Sequence, residues 1–248
     1  MRRPRSPAAP VLPPPSVAAE WLRRIEAEYR SLAATQHLTL WLVQVGASPD
    51  LIRLGLQIAA DELLHAELSH EIYRAAGGTA LPQLPRDELG LRAPREISLE
   101  SSLLQHGVEL FCLGETAAVP LFSALRRHST VPEVHRALSR ILRDEVRHRD
   151  FGWTLLDWLL AGPHGPGLRD ELHAELPAML ERLWDSYAPP ALALAPTELS
   201  EMEHAWGLMA PTRYAEALLR CYQRDLVPRF ARLGVSCPPP PPPVSSPP

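Results

Sequence analysis

Asp-Glu-x-x-His occurs twice in this chain, at Asp61–His65 and Asp144–His148, and each copy lies in a long stretch with helical periodicity. On a helix, residues three apart share a face, so each copy presents a carboxylate and an imidazole to one side, a turn apart. The apolar residues around them mark that side as the buried one. Ile52, Gly55, Ile58 and Ala59 share the face of Glu62 and His65, and Leu138, Ile141, Gly152, Leu155 and Leu159 share that of Glu145 and His148. Two long helices that bury acids and histidines opposite one another constrain the fold more than any other feature of the sequence.

Glu-x-x-His alone is weak, because the chain also holds Glu67/His70 and Glu201/His204. Neither of these has a preceding Asp. Glu67 lies five residues past Glu62, roughly 140° round the helix, so the two pairs cannot point the same way. Folding the chain back at its turns separates them further. A hairpin about residue 46 brings Glu28 level with Glu62 and His65, and one about residue 130 brings Glu115 level with Glu145 and His148. Glu28 precedes Glu62 by 34 residues, and Glu115 precedes Glu145 by 30. The same fold brings Arg23 beside Glu67, a surface pair.

Taken in order, residues 1–16 are a Pro-rich, disordered N-terminus. A first helix over about 16–46 has Ser16 as candidate cap and a stripe of Ala18, Trp21, Leu22, Ile25, Leu32 and Val43, with Glu28 on it. Ser48 and Pro49 suit the cap and first position of a second helix over about 49–76. Residues 77–97 show no pattern and form a crossover. About 20 extended residues reach roughly 65 Å, more than the roughly 45 Å of a 30-residue helix. A third helix over about 98–128 carries Leu104, Val108, Phe111, Ala118 and Phe122, with Glu115 interrupting and Pro120 predicting a kink or a local end. A fourth over about 132–161 is stopped by Gly162–Gly167. Two or three more helices follow to about 233, broken near Pro189-Pro190 and Pro211, and residues 234–248 form a Pro-rich disordered tail. No alternating strand pattern occurs, so the fold is predicted all-α. It comprises a bundle over 17–161 and additional C-terminal helices over 162–233.

Four carboxylates and two imidazoles in one core are costly if they serve structure alone, since neighbouring carboxylates repel and are desolvated. Two divalent cations cancel the four charges and use both imidazoles. Oxygen donors with one imidazole per ion suit iron or manganese, and no thiolate set favours zinc or copper(I).

Glu28, Glu62-x-x-His65, Glu115 and Glu145-x-x-His148 resemble the ligand set of the ferritin-like di-iron carboxylate superfamily, over residues 16–161. The resemblance implies a ferritin-like four-helix bundle with one long crossover. In it Glu62 and Glu145 are bridging ligands, Glu28 and Glu115 terminal ones, and Asp61 and Asp144 acids that orient the histidines. It implies a di-iron centre, with Mn/Fe as a variant, acting in the oxygenase/oxidase branch on O2 and a small organic substrate, with electrons from a separate donor protein. An iron-handling bundle without organic substrate shares the same six ligands. Ser69 stands where ribonucleotide reductases carry a radical tyrosine, and Ile141 where arylamine N-oxygenases add a histidine. The resemblance also admits a homodimer.

Composition closes other routes. A net charge of −4 leaves no basic footprint for nucleic acid. The absence of lysine rules out Schiff-base chemistry and a Walker-type phosphate loop. Three cysteines without a C-x-x-C make neither a disulfide framework nor a rubredoxin-like module. The N-terminus breaks on prolines where a signal peptide needs an apolar run, and no stretch reads as a membrane span, so a cytoplasmic location is expected. His37, His106, Cys112, Trp153 and Trp158 read as packing residues.

Overall fold

A computed structural model describes residues 12–92, 96–187 and 198–240. Every regular element among these residues is helical. The first two helices, α1 (Pro15–Gln44) and α2 (Pro49–Ala75), form a hairpin. Its turn passes through Gly46 at φ 70°, a left-handed conformation that a Cβ would strain. Ser48 caps α2 by accepting from the Leu51 N–H at 3.4 Å, with Pro49 in the first turn. Ser16 does not cap α1. Pro14 and Pro15 start that helix without a side-chain cap, and the Ser16 hydroxyl instead donates to Glu203 at 2.5 Å. The buried stripe of α1 ends on Thr35, Leu38, Thr39 and Leu42, while Val43 is 54% exposed. Extending the stripe that far from Leu32 overshot the face.

The crossover contains one short 3₁₀ turn, Arg86–Glu88, and follows α1. The Gln83 N–H donates to Glu26 at 2.7 Å, and the Leu91 N–H donates to His37 Nδ1 at 3.0 Å. A continuous helix, Leu99–His128, comes next, in three parts. The α3 segment (Leu99–Gly107) and α4 (Thr116–His128) flank a π-helical stretch, Val108–Glu115. Ser98 caps α3 through the Ser101 N–H at 3.0 Å. Here the irregularity predicted at Pro120 falls upstream of it. Pro120 has no N–H for the carbonyl of Thr116, four residues back. That carbonyl accepts from the Cys221 thiol at 3.3 Å, while the Thr116 hydroxyl accepts from Trp153 Nε1 at 3.0 Å. Leu99–His128 is apolar and long enough to span a membrane, yet half of its most apolar window is buried in the protein, as a core helix's would be.

The partner of this helix is α5 (Pro132–Ala161). The two meet closely at Gly152, where a Cβ would stand 2.5 Å from Phe111 Cβ and 2.8 Å from the Cys112 nitrogen. Phe111 and Phe151 pack edge to face beside it, with centroids 5.0 Å apart. The α6 helix (Gly165–Tyr187) begins inside the Gly/Pro run, so the break after α5 is shorter than the composition suggests. The break predicted near Pro189-Pro190 lies outside the described residues. Beyond it come α7 (Glu201–Ala205), α8 (Pro211–Cys221), a second π stretch (Tyr222–Leu226) and α9 (Val227–Arg232). Leu172, Leu176, Leu180, Leu218, Leu226 and Phe230 bury the C-terminal helices in the core shared with Leu104, Phe111 and Leu155. Each such side chain contributes roughly 1.5–3 kcal/mol by leaving water.

The tail is docked further than its composition indicates. Val235 is buried, Cys237 packs on the core, and the Tyr222 hydroxyl donates to the Pro238 carbonyl. The tail predicted to begin at residue 234 is therefore held against the protein as far as Pro238. Residues 1–11 and 241–248 lie outside the described residues.

Candidate metal centre

All six residues of the doubled pattern meet in the space between the hairpins. Two overlapping groups form: Glu28 with Glu62 and His65, and Glu62 with Glu115 and His148. In each, one donor atom per residue lies within 4.8 Å of the others. His65 Nδ1 stands 3.6 Å from Glu62 and 3.7 Å from Glu145. His148 Nδ1 stands 3.4 Å from Glu62 and 3.5 Å from Glu145. Glu62 and Glu145 thus each lie between the two imidazoles. Glu28 approaches only His65, at 3.8 Å.

Each imidazole is held by the aspartate of the opposite helix. His65 Nε2 is 3.3 Å from Asp144, and His148 Nε2 is 3.4 Å from Asp61. An ionised carboxylate can only accept, so each Nε2 carries a proton and Nδ1 faces the cluster. The aspartates are themselves gripped. Arg147 donates to Asp61 at 2.6 Å and to Asp144 at 3.0 Å, Arg140 donates to Asp144 at 2.5 Å, and Gln57 donates to Asp61 at 3.1 Å. Ser31 donates to Glu62 at 2.8 Å. Sequence reasoning missed these supports, although Arg140 and Arg147 flank Asp144 by four and three residues and so share its helix face.

Electrostatics mark the cluster as frustrated without a cation. Burial, with the neighbouring Glu62 charge adding and His65 opposing, pushes Glu28 up to about 7. Glu145 is likewise raised to about 7 by burial, against a contact with Glu115. Burial and the Glu145 charge hold Glu115 well above the carboxylate range. Glu62 is lowered, because His65 and His148 overcome its burial. Burial works against a charged His65, but Asp144, Glu28 and Glu62 raise it far above the usual imidazole value. Asp144 resists its own burial through His65, Arg140 and Arg147 and is depressed. Three buried atoms of the cluster, His65 Nδ1, His148 Nδ1 and Glu145 Oε2, have no hydrogen-bond partner among the described residues. Buried polar atoms left so are uncommon, and these three converge on one space. Two imidazole nitrogens and several carboxylates turned on one space are, once the imidazoles are deprotonated, the donor set a pair of divalent cations would use.

On the aspartate side the cluster is closed by the arginine clamps. Its other side opens on a cavity of about 1060 Å³ that reaches Glu28, Glu62, Glu115 and Glu145. Gly114 and Ala118 line this cavity, whereas Gly55 and Gly152 serve close helix packing. Glu115 is half-buried because it fronts the cavity.

The other candidates stay apart. Glu67 is exposed and borders a separate cavity of about 400 Å³ with His70. Arg23 does not pair with Glu67; it forks onto Glu20 at 2.9 and 2.8 Å. Glu201 is exposed, and His204 stacks near His128 at 6.3 Å. His106 lies against Trp41 at 5.6 Å. Cys112 is buried with its thiol pushed up by desolvation, and Trp153 packs on Phe230 at 5.0 Å. No family model matches the chain, and no curated protein matches it in sequence.

Proposed function

We propose that this chain is a ferritin-like non-haem di-iron oxygenase or oxidase that uses O2 to oxidise a small organic substrate. The observation that carries the reading is the cavity of about 1060 Å³ on the four carboxylates. A bundle built only to handle iron needs no substrate-sized space there, and apolar clefts with a few polar groups are the usual form of small-molecule sites.

Glu28, Glu62 and His65 would hold one ion, and Glu115, Glu145 and His148 the other, with Glu62 and Glu145 shared. Two ferrous ions, or a Mn/Fe pair, would supply the electrons and Lewis acidity that O2 activation requires. The protein's own part is positional. Asp61 and Asp144 keep a proton on each Nε2, so both Nδ1 lone pairs face inward. Ser31 fixes one oxygen of Glu62. Leu113, Ala118, Leu121 and Phe122 give the cavity an apolar wall beside Glu115, which excludes water from the reacting face. Electrons would come from a separate donor protein in the cytoplasm.

The test is metal analysis of iron-grown protein, then O2 exposure of the ferrous form with candidate organic substrates. About two ions per chain and O2 consumption coupled to an oxidised product are expected. Fewer than about one ion per chain, unchanged by Glu62→Ala or Glu145→Ala, would overturn the reading. Two ions with only slow ferric accumulation would assign the chain to iron handling instead.

A further inference from the structure

One turn of α1 before Glu28, about 6 Å along the helix axis, Arg24 lines the same cavity. It is only 5% exposed, and three contacts fix its plane. Nε donates to Glu20 at 3.0 Å, Nη2 donates to the Gly207 carbonyl at 2.8 Å, and the guanidinium lies 4.4 Å over the Trp21 ring. Nη1 has no hydrogen-bond partner among the described residues. A buried charged nitrogen with idle N–H groups is costly, and a guanidinium held on three sides cannot turn to relieve it.

Charge points the same way. Arg23 and Arg24 both rely on Glu20, and Arg182 is paired with Glu109 at 2.6 Å. Arg23 and Arg24 thus share one carboxylate and keep one positive charge in excess between them, at the end of a cavity whose other lining includes Glu28, Glu62, Glu115 and Glu145. Tyr214 also lines it. Burial raises its phenol above the ordinary value, against the nearby Arg24 charge, so the hydroxyl remains a donor. A single excess charge with N–H and O–H donors matches a monoanion that offers two oxygens.

We propose that Arg24 Nη1 and the Tyr214 hydroxyl bind the carboxylate of an organic acid substrate, whose apolar body lies along Leu113, Ala118, Leu121 and Phe122 toward the four glutamates. The proposal names the substrate class for the cavity read above as the substrate site, but it does not depend on metal being present.

The test titrates octanoate and octan-1-ol calorimetrically into the full-length protein, both metal-loaded and metal-stripped. Octanoate is expected to bind at least about tenfold more tightly than the alcohol in both forms. Arg24→Gln is expected to abolish that preference while leaving octan-1-ol affinity unchanged. Equal affinity of the two probes, binding of neither at about 1 mM, or a preference that survives Arg24→Gln would overturn the proposal. A preference that vanishes on stripping the metal would assign the carboxylate to the ions and equally overturn it. Should Arg24→Gln not fold, Tyr214→Phe decides. A fall of about threefold or more in octanoate affinity alone supports the proposal, and no fall overturns it. Metal content is read separately, so failure of the di-iron reading leaves the octanoate result standing.

Discussion

The hairpin of α1 and α2 delivers Glu28, Glu62 and His65 from two regular α-helices. The hairpin from Leu99 to Ala161 delivers the equivalent Glu115 from the last residue of a π-helical stretch, followed by an internal proline. Both halves carry one lone glutamate and one Asp-Glu-x-x-His, and both lone glutamates reach the cavity, yet Glu28 is buried and Glu115 only half-buried. The C-terminal helices pack on the second hairpin and reach α1 through Glu203, Trp206 and Gly207, and Met179, Leu183 and Tyr214 are among the walls of that cavity. Repeated donors therefore do not make equivalent halves. Winding and added helices set the second half apart, and π segments are frequent at functional sites.

The largest effects should come from the carboxylates that the halves share. Glu62→Ala or Glu145→Ala is expected to reduce metal content from about two ions per chain to none, and Glu28→Ala or Glu115→Ala to about one. Elemental analysis of purified variants checks this. Equal loss in all four would show that the positions between the imidazoles carry no special weight.

Packing supplies a second contrast. Gly152→Ala drives a methyl against the backbone of the π stretch and should cost about 3 kcal/mol. In the first hairpin, Gly55→Ala meets only the Thr39 side chain, which must turn about χ1 and give up its 2.7 Å bond to the Thr35 carbonyl. The gain in helix propensity offsets that shift, leaving the net change within about 1 kcal/mol. Urea unfolding of the two variants measures the difference.

The smallest effect is a slope in pH. Glu28 and Glu145, one from each hairpin, are both raised to about 7, so between their unfolded value and 7 the folded metal-free protein binds more protons than the unfolded chain. Its stability must then fall as pH rises through that window. His65, also raised, acts in the same direction. Asp144 is depressed and matters only at lower pH, where its contribution is lost as pH falls. Metal-stripped protein should melt lower at about pH 7.5 than at about pH 5.5, and added ferrous iron should raise Tm more at the higher pH. Glu28→Gln and Glu145→Gln should each remove a similar share of the slope. A flat profile would deny that burial holds Glu28 and Glu145 up in the metal-free cluster.

Much of the scaffold was legible because punctuation and periodicity agreed. Pro132 and Gly162 bound α5 to the residue, Ser48 and Pro49 open α2, and the stripe from Leu138 to Leu159 is buried throughout. The level-matching of Glu28 and Glu115 followed from hairpin lengths alone. Other features leave no such mark. A π stretch uses the same residues as an α-helix and differs only in which carbonyl each N–H finds. Ser16 resembles a cap, but its hydroxyl answers Glu203 from 187 residues away. Arg24, set beside Trp21 and Ile25, reads as a surface arginine until Gly207 and Glu20 are placed around it. Val235 and Cys237 look like part of a solvated tail because the groups that bury them lie on other helices.

The exchange of aspartates between helices has a consequence for how the centre matures. Asp61 on α2 serves His148 on α5, and Asp144 on α5 serves His65 on α2. Neither half can aim its own imidazole, so a nascent chain with only its first hairpin formed offers scattered acids rather than a competent pocket. On the di-metal reading proposed above, metallation would be deferred until the halves dock in register, and the finished fold, not the emerging polypeptide, would select from the cell's metal pool.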